Sequence, residues 1–284
     1  YKEVDVKIMT IMLLFLATLI SSKEPEAIDA NIGNLTIGNP ITYKNLTIFP
    51  LARHLMPTAD YMSLDEAMQK NWLTVKEIGN GEVNAVLLKN SGDKIVFIMT
   101  GEMLSGAKQD RMIKDDILIP AKSGWLEVPV YCVEHGRWIS VSPEFKSSEL
   151  MAPNELRNRA RITEDQAEVW DAIASSQDRL GITSSTKTAQ ANYEDQAARI
   201  QIAEYTKALW NVPKLTKNTV GVCVTTGDRI ICVDVFANNE MLTKYWTKLL
   251  KSYVLEAINE TKSRVEIEEV HNLLKALPHA YYLS

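Results

Sequence analysis

The feature that most constrains this chain is a switch of hydrophobic period near Pro143. Before it, apolar residues come in short runs of about four to eight positions, the pattern of strands. After it they recur about every 3.6 residues, the pattern of helices with one buried face. A chain that runs strands first and helices afterwards predicts an α+β fold, not an alternating parallel sheet. Strands are expected over 42–49 (ending at Pro50), 73–78, 82–88, 94–100, 117–119 and 128–133. Asn90-Ser91-Gly92-Asp93 reads as a hairpin turn between the third and fourth of these. Ser63-Leu64-Asp65-Glu66 is a capping box that starts a short helix. Short strands punctuated by turns predict a β-rich sandwich or open-barrel first half.

In the second half, Thr163-Glu164-Asp165-Gln166 reads as another capping box and Gly181 as the matching C-cap, with Ala167, Trp170, Ile173 and Ala174 on one face. Further helices are expected over 188–210, 239–261 and 265–277. In the longest, Leu242, Trp246, Leu249, Leu250, Tyr253 and Ala257 face inward. One β-hairpin, 220–236, interrupts these helices. Placed against the first sheet, it makes 41–284 a single α+β domain. Thr226-Gly227-Asp228-Arg229 suits a two-residue turn with glycine at its first central position. That register sets Cys223 opposite Cys232, with Cα atoms about 4.5 Å apart. It also puts Val220, Val222, Val224, Ile231, Val233 and Val235 on one face. The cysteines are then either a disulfide of an exported protein or two buried thiols.

Ile8 to Ile20 is an uncharged apolar run preceded by Lys2 and Lys7. It is short for a transmembrane helix and fits the hydrophobic region of a signal peptide. Residues 1–22 are therefore read as a signal peptide or N-terminal anchor that packs against nothing in the folded domain, and 23–40 as a polar linker. The protein is expected to be exported, periplasmic or extracellular, with membrane contact only through an uncleaved N-terminal segment. Three cysteines are too few for a disulfide scaffold.

A formal net charge of −5 gives no global attraction for nucleic acid or an anionic membrane, but leaves room for a local basic pocket. The densest polar block is Gly101-Glu102-Met103-Leu104-Ser105-Gly106-Ala107-Lys108-Gln109-Asp110-Arg111, and a second is Cys132-Val133-Glu134-His135-Gly136-Arg137-Trp138. Each sets acids and an arginine beside glycine-permitted turns. Arginine offers a planar fork for phosphate or carboxylate, and a neighbouring carboxylate serves as general base or positions water. Spacing alone favours a plainer role, in which Arg111 or Arg137 pairs with Glu102 or Glu134 to close a sheet end. A metal site built from Cys132, Glu134 and His135 is the weaker reading, since no CxxC or HxxxH spacing accompanies them. No metal and no cofactor is assigned, and no P-loop, GxGxxG or GxSxG occurs.

GEMLSGAKQDR, followed by ILIPAKSGWLEVPVYCVEHGRW, resembles the signature of the domain family named for its association with ADP-ribosylglycohydrolases and rhodanese-phosphatase proteins. QAEVWDAI, SSTK, the DVF after a hairpin and KYWTKLLKSYVLEAI are similar to its later part, so the resemblance covers about residues 40 to 275. Ala107 stands where a second glycine is usual. The resemblance implies a β-rich first half and a site near the GE and QDR residues. Its gene association hints at ADP-ribose or a related nucleotide and supplies no reaction. Two functions compete. One is a small-molecule binding or hydrolytic domain acting on a phosphorylated or nucleotide-like ligand, with Glu102, Asp110 and Glu134 as acid/base groups and Gln109, Arg111 and Arg137 as anion-binding and orienting groups. The other is a non-catalytic interaction module of the cell envelope, in which the same residues form a buried ion-pair network. Either way the six are expected to converge, with Asp234 joining from the second half.

Overall fold

A computed structural model describes residues 11–13, 34–54 and 60–280. The fold is α+β: the first half is strand-rich, and helices dominate after residue 153. The chain divides into two compact units, one built from residues up to 59 with 207–246 and 259–284, the other from 60–206 and 247–258.

The first unit is a mixed sheet with helices. Its strands are β1 (Ile11–Leu13), β2 (Thr36–Ile37), β3 (Ile41–Tyr43), β4 (Leu46–Ala52), β14 (Thr219–Thr226) and β15 (Arg229–Val235). They order as β1-β15-β14-β4-β2, with β3 also on β4. The late hairpin thus pairs with the early strand β4, with Val222 opposite Pro50 and Val224 opposite Ile48, while the other expected first-half strands belong to the second unit. Strand β4 runs through Pro50 instead of ending there. The Pro50 carbonyl accepts from Gly38 N at 2.7 Å. The proline nitrogen faces the same side as its carbonyl, away from β14, so the missing N–H costs that ladder nothing.

Two expectations fail in this unit. Thr226 does pair with Arg229, and Gly227 takes φ 54, as the turn requires. Beyond Thr225 the register shifts, so Cys223 lies opposite Val233 and Cys232 opposite Val224. The bulge puts the two cysteines on opposite faces, and both are free thiols. β14 is buried along its whole length, so apolar residues cover both faces and do not fix a register. The second failure concerns residues 1–22, expected to touch nothing. Ile11, Met12 and Leu13 pair in parallel with Val233, Asp234 and Val235, because β15 otherwise presents an open edge of backbone donors and acceptors. Leu14 to Ser22 lie outside the described residues. So do 23–33 of the expected linker, but its end contributes β2.

The second unit carries the candidate residues. Its strands are β5 (Met62–Ser63), β6 (Leu73–Glu77), β7 (Ala85–Asn90), β8 (Val96–Ile98), β9 (Glu102–Gly106), β10 (Arg111–Ile113), β11 (Ile117–Ile119), β12 (Leu126–Cys132) and β13 (Phe145–Met151). An open half-barrel sheet orders β13-β9-β10-β12-β7-β6, with antiparallel neighbours throughout. A smaller sheet orders β11-β8-β5. Leu64, Val75, Val86, Leu88, Ile98, Leu104 and Ile113 form the shared core. β7 and β8 therefore sit in different sheets, and the expected hairpin between them does not form. Asn90 explains the split: its side-chain amide donates to Lys94 O at 2.8 Å and Pro120 O at 3.0 Å, tying the turn to the smaller sheet.

Helix α1 (Leu64–Gln69) starts at the capping box read from the sequence, with Ser63 and Glu66 bonded reciprocally. Helices α2 (Asn154–Thr163), α3 (Gln166–Leu180), α4 (Ala191–Glu194) and α5 (Gln196–Leu209) follow. Asp165, not Thr163, caps α3 through Ala167 N and Glu168 N, and Gly181 closes it at φ 70. The buried stripe of α3 is Val169, Ala172, Ile173, Ser176 and Gln177, so Ala167 and Ala174 face outward. The helix expected over 188–210 is interrupted at Asp195. Helix α6 (Asn239–Ala257) buries all six predicted inward residues, and α7 (Ile267–Ala280) is the last helix.

Candidate functional site

Gly106 at φ 115 and Ala107 at φ 42 turn the chain between β9 and β10. Both are left-handed, which costs alanine roughly 1–2 kcal/mol that glycine would not incur. The turn aims two successive carbonyls at one guanidinium. Arg137 Nη1 donates to Ala107 O at 2.9 Å and Ile139 O at 3.1 Å, and Nη2 to Gly106 O at 3.3 Å. Nε reaches Glu134 Oε2 at 2.9 Å, and Nη2 also meets Asp110 Oδ1 at 3.2 Å. A guanidinium has five N–H donors, and Arg137 commits all of them inside the protein.

Asp110 is equally occupied. Oδ1 accepts from Arg137 and Gly106 N, and Oδ2 from the Thr188 hydroxyl at 2.9 Å. Burial raises the Asp110 pKa, the adjacent Glu134 raises it further, and Thr188, Gly106 and Arg137 pull it part of the way back. Hydrogen bonding to Glu134 holds Arg137 firmly charged against its own partial burial. Glu134 stands at an isolated bridge to Thr188. Its Oε2 accepts Asp110 N at 3.1 Å as well as Arg137, whereas Oε1 accepts no hydrogen bond among the described residues.

Gln109 and Arg111 lie one layer deeper. Gln109 Nε2 donates to Glu134 O at 2.8 Å. Arg111, fully buried, sits between Leu104 and Cys132 in the sheet and donates to Gln109 O at 3.2 Å and Glu82 O at 3.3 Å. Its nearest carboxylate is Glu77 Oε1 at 3.8 Å. The Cys132 thiol lies 3.2 Å from Gln109 Oε1, and burial pushes its pKa up, away from a reactive thiolate.

Five of the six predicted residues thus converge, and Glu102 does not join them. It begins β9, and the turn that holds Arg137 ends it, which separates the two by about 13 Å along the strand. Glu102 Oε2 accepts Met99 N at 2.7 Å, while Oε1 is paired with Lys248 of α6. Lys248 also meets Asp65 Oδ2 at 2.6 Å, and Asp65 accepts from the Ser147 hydroxyl. Burial pushes the Glu102 pKa up to about 7; Lys248 works against the shift and Asp65 adds to it. Burial alone would lower Lys248, but the two carboxylates outweigh it and the ammonium is held. Asp234, expected to join the cluster, belongs to the first unit, where the Cys232 thiol lies 3.6 Å from its Oδ2.

Sequence reading missed Thr188, Glu77, Asp65 and Lys248. The signal for Lys248 was present: Lys248, Ser252 and Glu256 recur every fourth residue beside the apolar stripe of α6, and all three are buried. Among the described residues no group of His, Cys, Asp and Glu is arranged to hold a metal ion.

Neither a curated protein nor a solved structure matches the chain significantly. Residues 34–281 match the ARG and Rhodanese-Phosphatase-superfamily-associated Protein domain, a span that includes both polar blocks, the late hairpin and the helices, and the chain belongs to that family.

Proposed function

We propose that this is a small-molecule binding or hydrolytic domain for a nucleotide-like, ADP-ribose-related ligand, with Glu134 as the side chain that meets it. One observation carries the reading: Asp110 and Arg137 have every side-chain polar atom engaged, whereas Glu134 Oε1 beside them has no partner among the described residues. The four charged side chains that converge sum to zero, Arg111 is fully buried, and Arg137 has no N–H left over. The cluster therefore suits a hydroxyl donor, such as a ribose OH, and not a phosphate. Asp110, its pKa raised by burial and by Glu134, is the second carboxylate beside that open oxygen. The family's name points the same way through its association with ADP-ribosylglycohydrolases. We further propose export to the periplasm or outside the cell, on the strength of the apolar run at Ile8 to Ile20.

The saturation of Arg137 favours a second reading, a non-catalytic interaction module of the cell envelope braced by this network. Thermal shift against ADP-ribose, NAD, nucleotides and sugar phosphates separates the two. A ligand at a hundred times its dissociation constant adds about 2.7 kcal/mol. The first reading expects such a shift from a ribose-bearing compound and its loss in Glu134→Gln. No shift from any compound selects the second.

A further inference from the structure

Arg137 commits all its N–H groups inside the protein and Arg111 is fully buried, so a phosphorylated ligand must find its counter-charge nearby. The turn that Arg137 holds offers one. Lys108 follows Ala107, whose carbonyl Arg137 holds, and its ammonium lies 5.0 Å from the centre of the Trp138 ring. An ammonium has three N–H donors, and Lys108 gives one to Asn80 O. Trp138 follows Arg137 directly and is 49% exposed, while Ile139 and Val141 beside it are 73% and 65% exposed. Exposed apolar side chains in succession mark a surface meant to be covered.

This loop is tied down rather than loose. Ile139 O accepts from Arg137, Val141 N donates to Ala107 O at 2.9 Å, and Ala107 N donates to the Ser142 hydroxyl at 2.9 Å. The ion-pair cluster thus fixes an indole and an ammonium side by side before any ligand arrives, which lowers the ordering cost of binding. Trp125 makes a comparable pair with Lys76, 4.1 Å from its ring, but stands before the far end of β12, about 20 Å along the strand from Cys132.

We propose that Trp138 and Lys108 form the outer half of the ligand site, the indole stacking on a nucleobase and the ammonium taking its phosphate. The inference rests on Glu134 being the ligand-facing carboxylate. Four probes test it by isothermal titration: ADP-ribose, AMP, adenosine and ribose 5-phosphate. Trp138→Ala should weaken ADP-ribose, AMP and adenosine about tenfold or more, the worth of one stacked base, and leave ribose 5-phosphate unchanged. Lys108→Met should weaken the three phosphate-bearing probes and spare adenosine. Trp125→Ala should change nothing, and circular dichroism should show all three variants folded. If the wild type binds and Glu134→Gln abolishes binding, but Trp138→Ala binds the adenine probes as tightly as the wild type, the outer site is wrong and the Glu134 reading stands. If the wild type binds none of the four, both fail together.

Discussion

Arg137 approaches one oxygen of Glu134 from two directions: Nε lies 2.9 Å and Nη2 2.6 Å from Oε2. The same oxygen accepts the backbone N–H of Asp110, and Arg137 continues to Asp110 Oδ1. One guanidinium therefore holds a carboxylate from each polar block, two carbonyls of the first block and the carbonyl of Ile139 just past the second. Removing it would leave two acids largely buried without their cation.

Arg137→Ala is accordingly expected to destabilise the fold by about 3–5 kcal/mol in urea unfolding, the cost of breaking a buried pair. Glu134→Gln keeps a carbonyl oxygen for Asp110 N and Arg137, and should cost only about 1–2 kcal/mol. A loss below about 1 kcal/mol for Arg137→Ala, within the range of a surface pair, would show that the network braces nothing.

Glu102 gives the fold a pH dependence of opposite sign to an ordinary salt-bridged carboxylate. Its folded pKa, about 7, lies above the usual 4.5. Between those values the folded state keeps a proton that the unfolded chain releases, so the stabilisation is complete below pH 4.5 and falls as pH rises through 7. The span corresponds to about 3 kcal/mol. Lys248 stays charged throughout this window, because Glu102 and Asp65 outweigh the effect of its burial. Urea titrations of the wild type and Glu102→Gln from pH 4 to 8 should show the wild type losing about 3 kcal/mol relative to the variant. A constant difference across that range counts against the shift.

The cysteines should all be reduced. Cys223 and Cys232 lie on opposite faces of the hairpin, and Cys132 belongs to the second unit. Protein unfolded without reductant in excess iodoacetamide should gain three carbamidomethyl groups by mass spectrometry. The native protein should react slowly, since all three thiols are buried and burial pushes the Cys132 and Cys223 pKa values up. A species with one group, two hydrogens light, would restore the disulfide.

Legibility in the sequence followed the burial of one face. Helix α6 was readable because its inward residues are apolar and its outward ones polar. The cap at Ser63 was readable because side-chain chemistry at a helix start is local. Helix α2 was missed: its buried face mixes Leu156 and Ala160 with Asn154, Arg157 and Asn158, so polar residues interrupt the apolar stripe, and Pro153 gives it no side-chain cap. The cysteine register failed for the reverse reason, since β14 is apolar on both faces and a one-residue bulge leaves the pattern unchanged. Gln109, Asp110, Arg111, Glu134 and Arg137 could be grouped because burying charge demands partners. Nothing in sequence separation could show that Glu102, eight positions before Asp110, would turn to Lys248 instead.

Strand β1 forms the outer edge of its sheet, on β15. Its three residues extend the sheet beside Val233, Asp234 and Val235, yet they fall within the segment that export would remove. β15 pairs along its other edge with β14, apart from the bulge at Ile231, and Val233 and Val235 pack into a core with Phe49, Leu51, Val270 and Leu274. A chain beginning at Ser22 should therefore fold, unfold cooperatively in urea, and lose about 1–2 kcal/mol, the worth of a few edge hydrogen bonds that water partly replaces. Its exposed β15 edge should also make it more prone to associate at high concentration, which light scattering would detect. If the truncated chain fails to fold, β1 is integral to the mature protein and cleavage near Ser22 is ruled out. If it is as stable as the full chain and no more prone to associate, the pairing of Ile11–Leu13 contributes nothing, and the segment is free to serve as a signal alone.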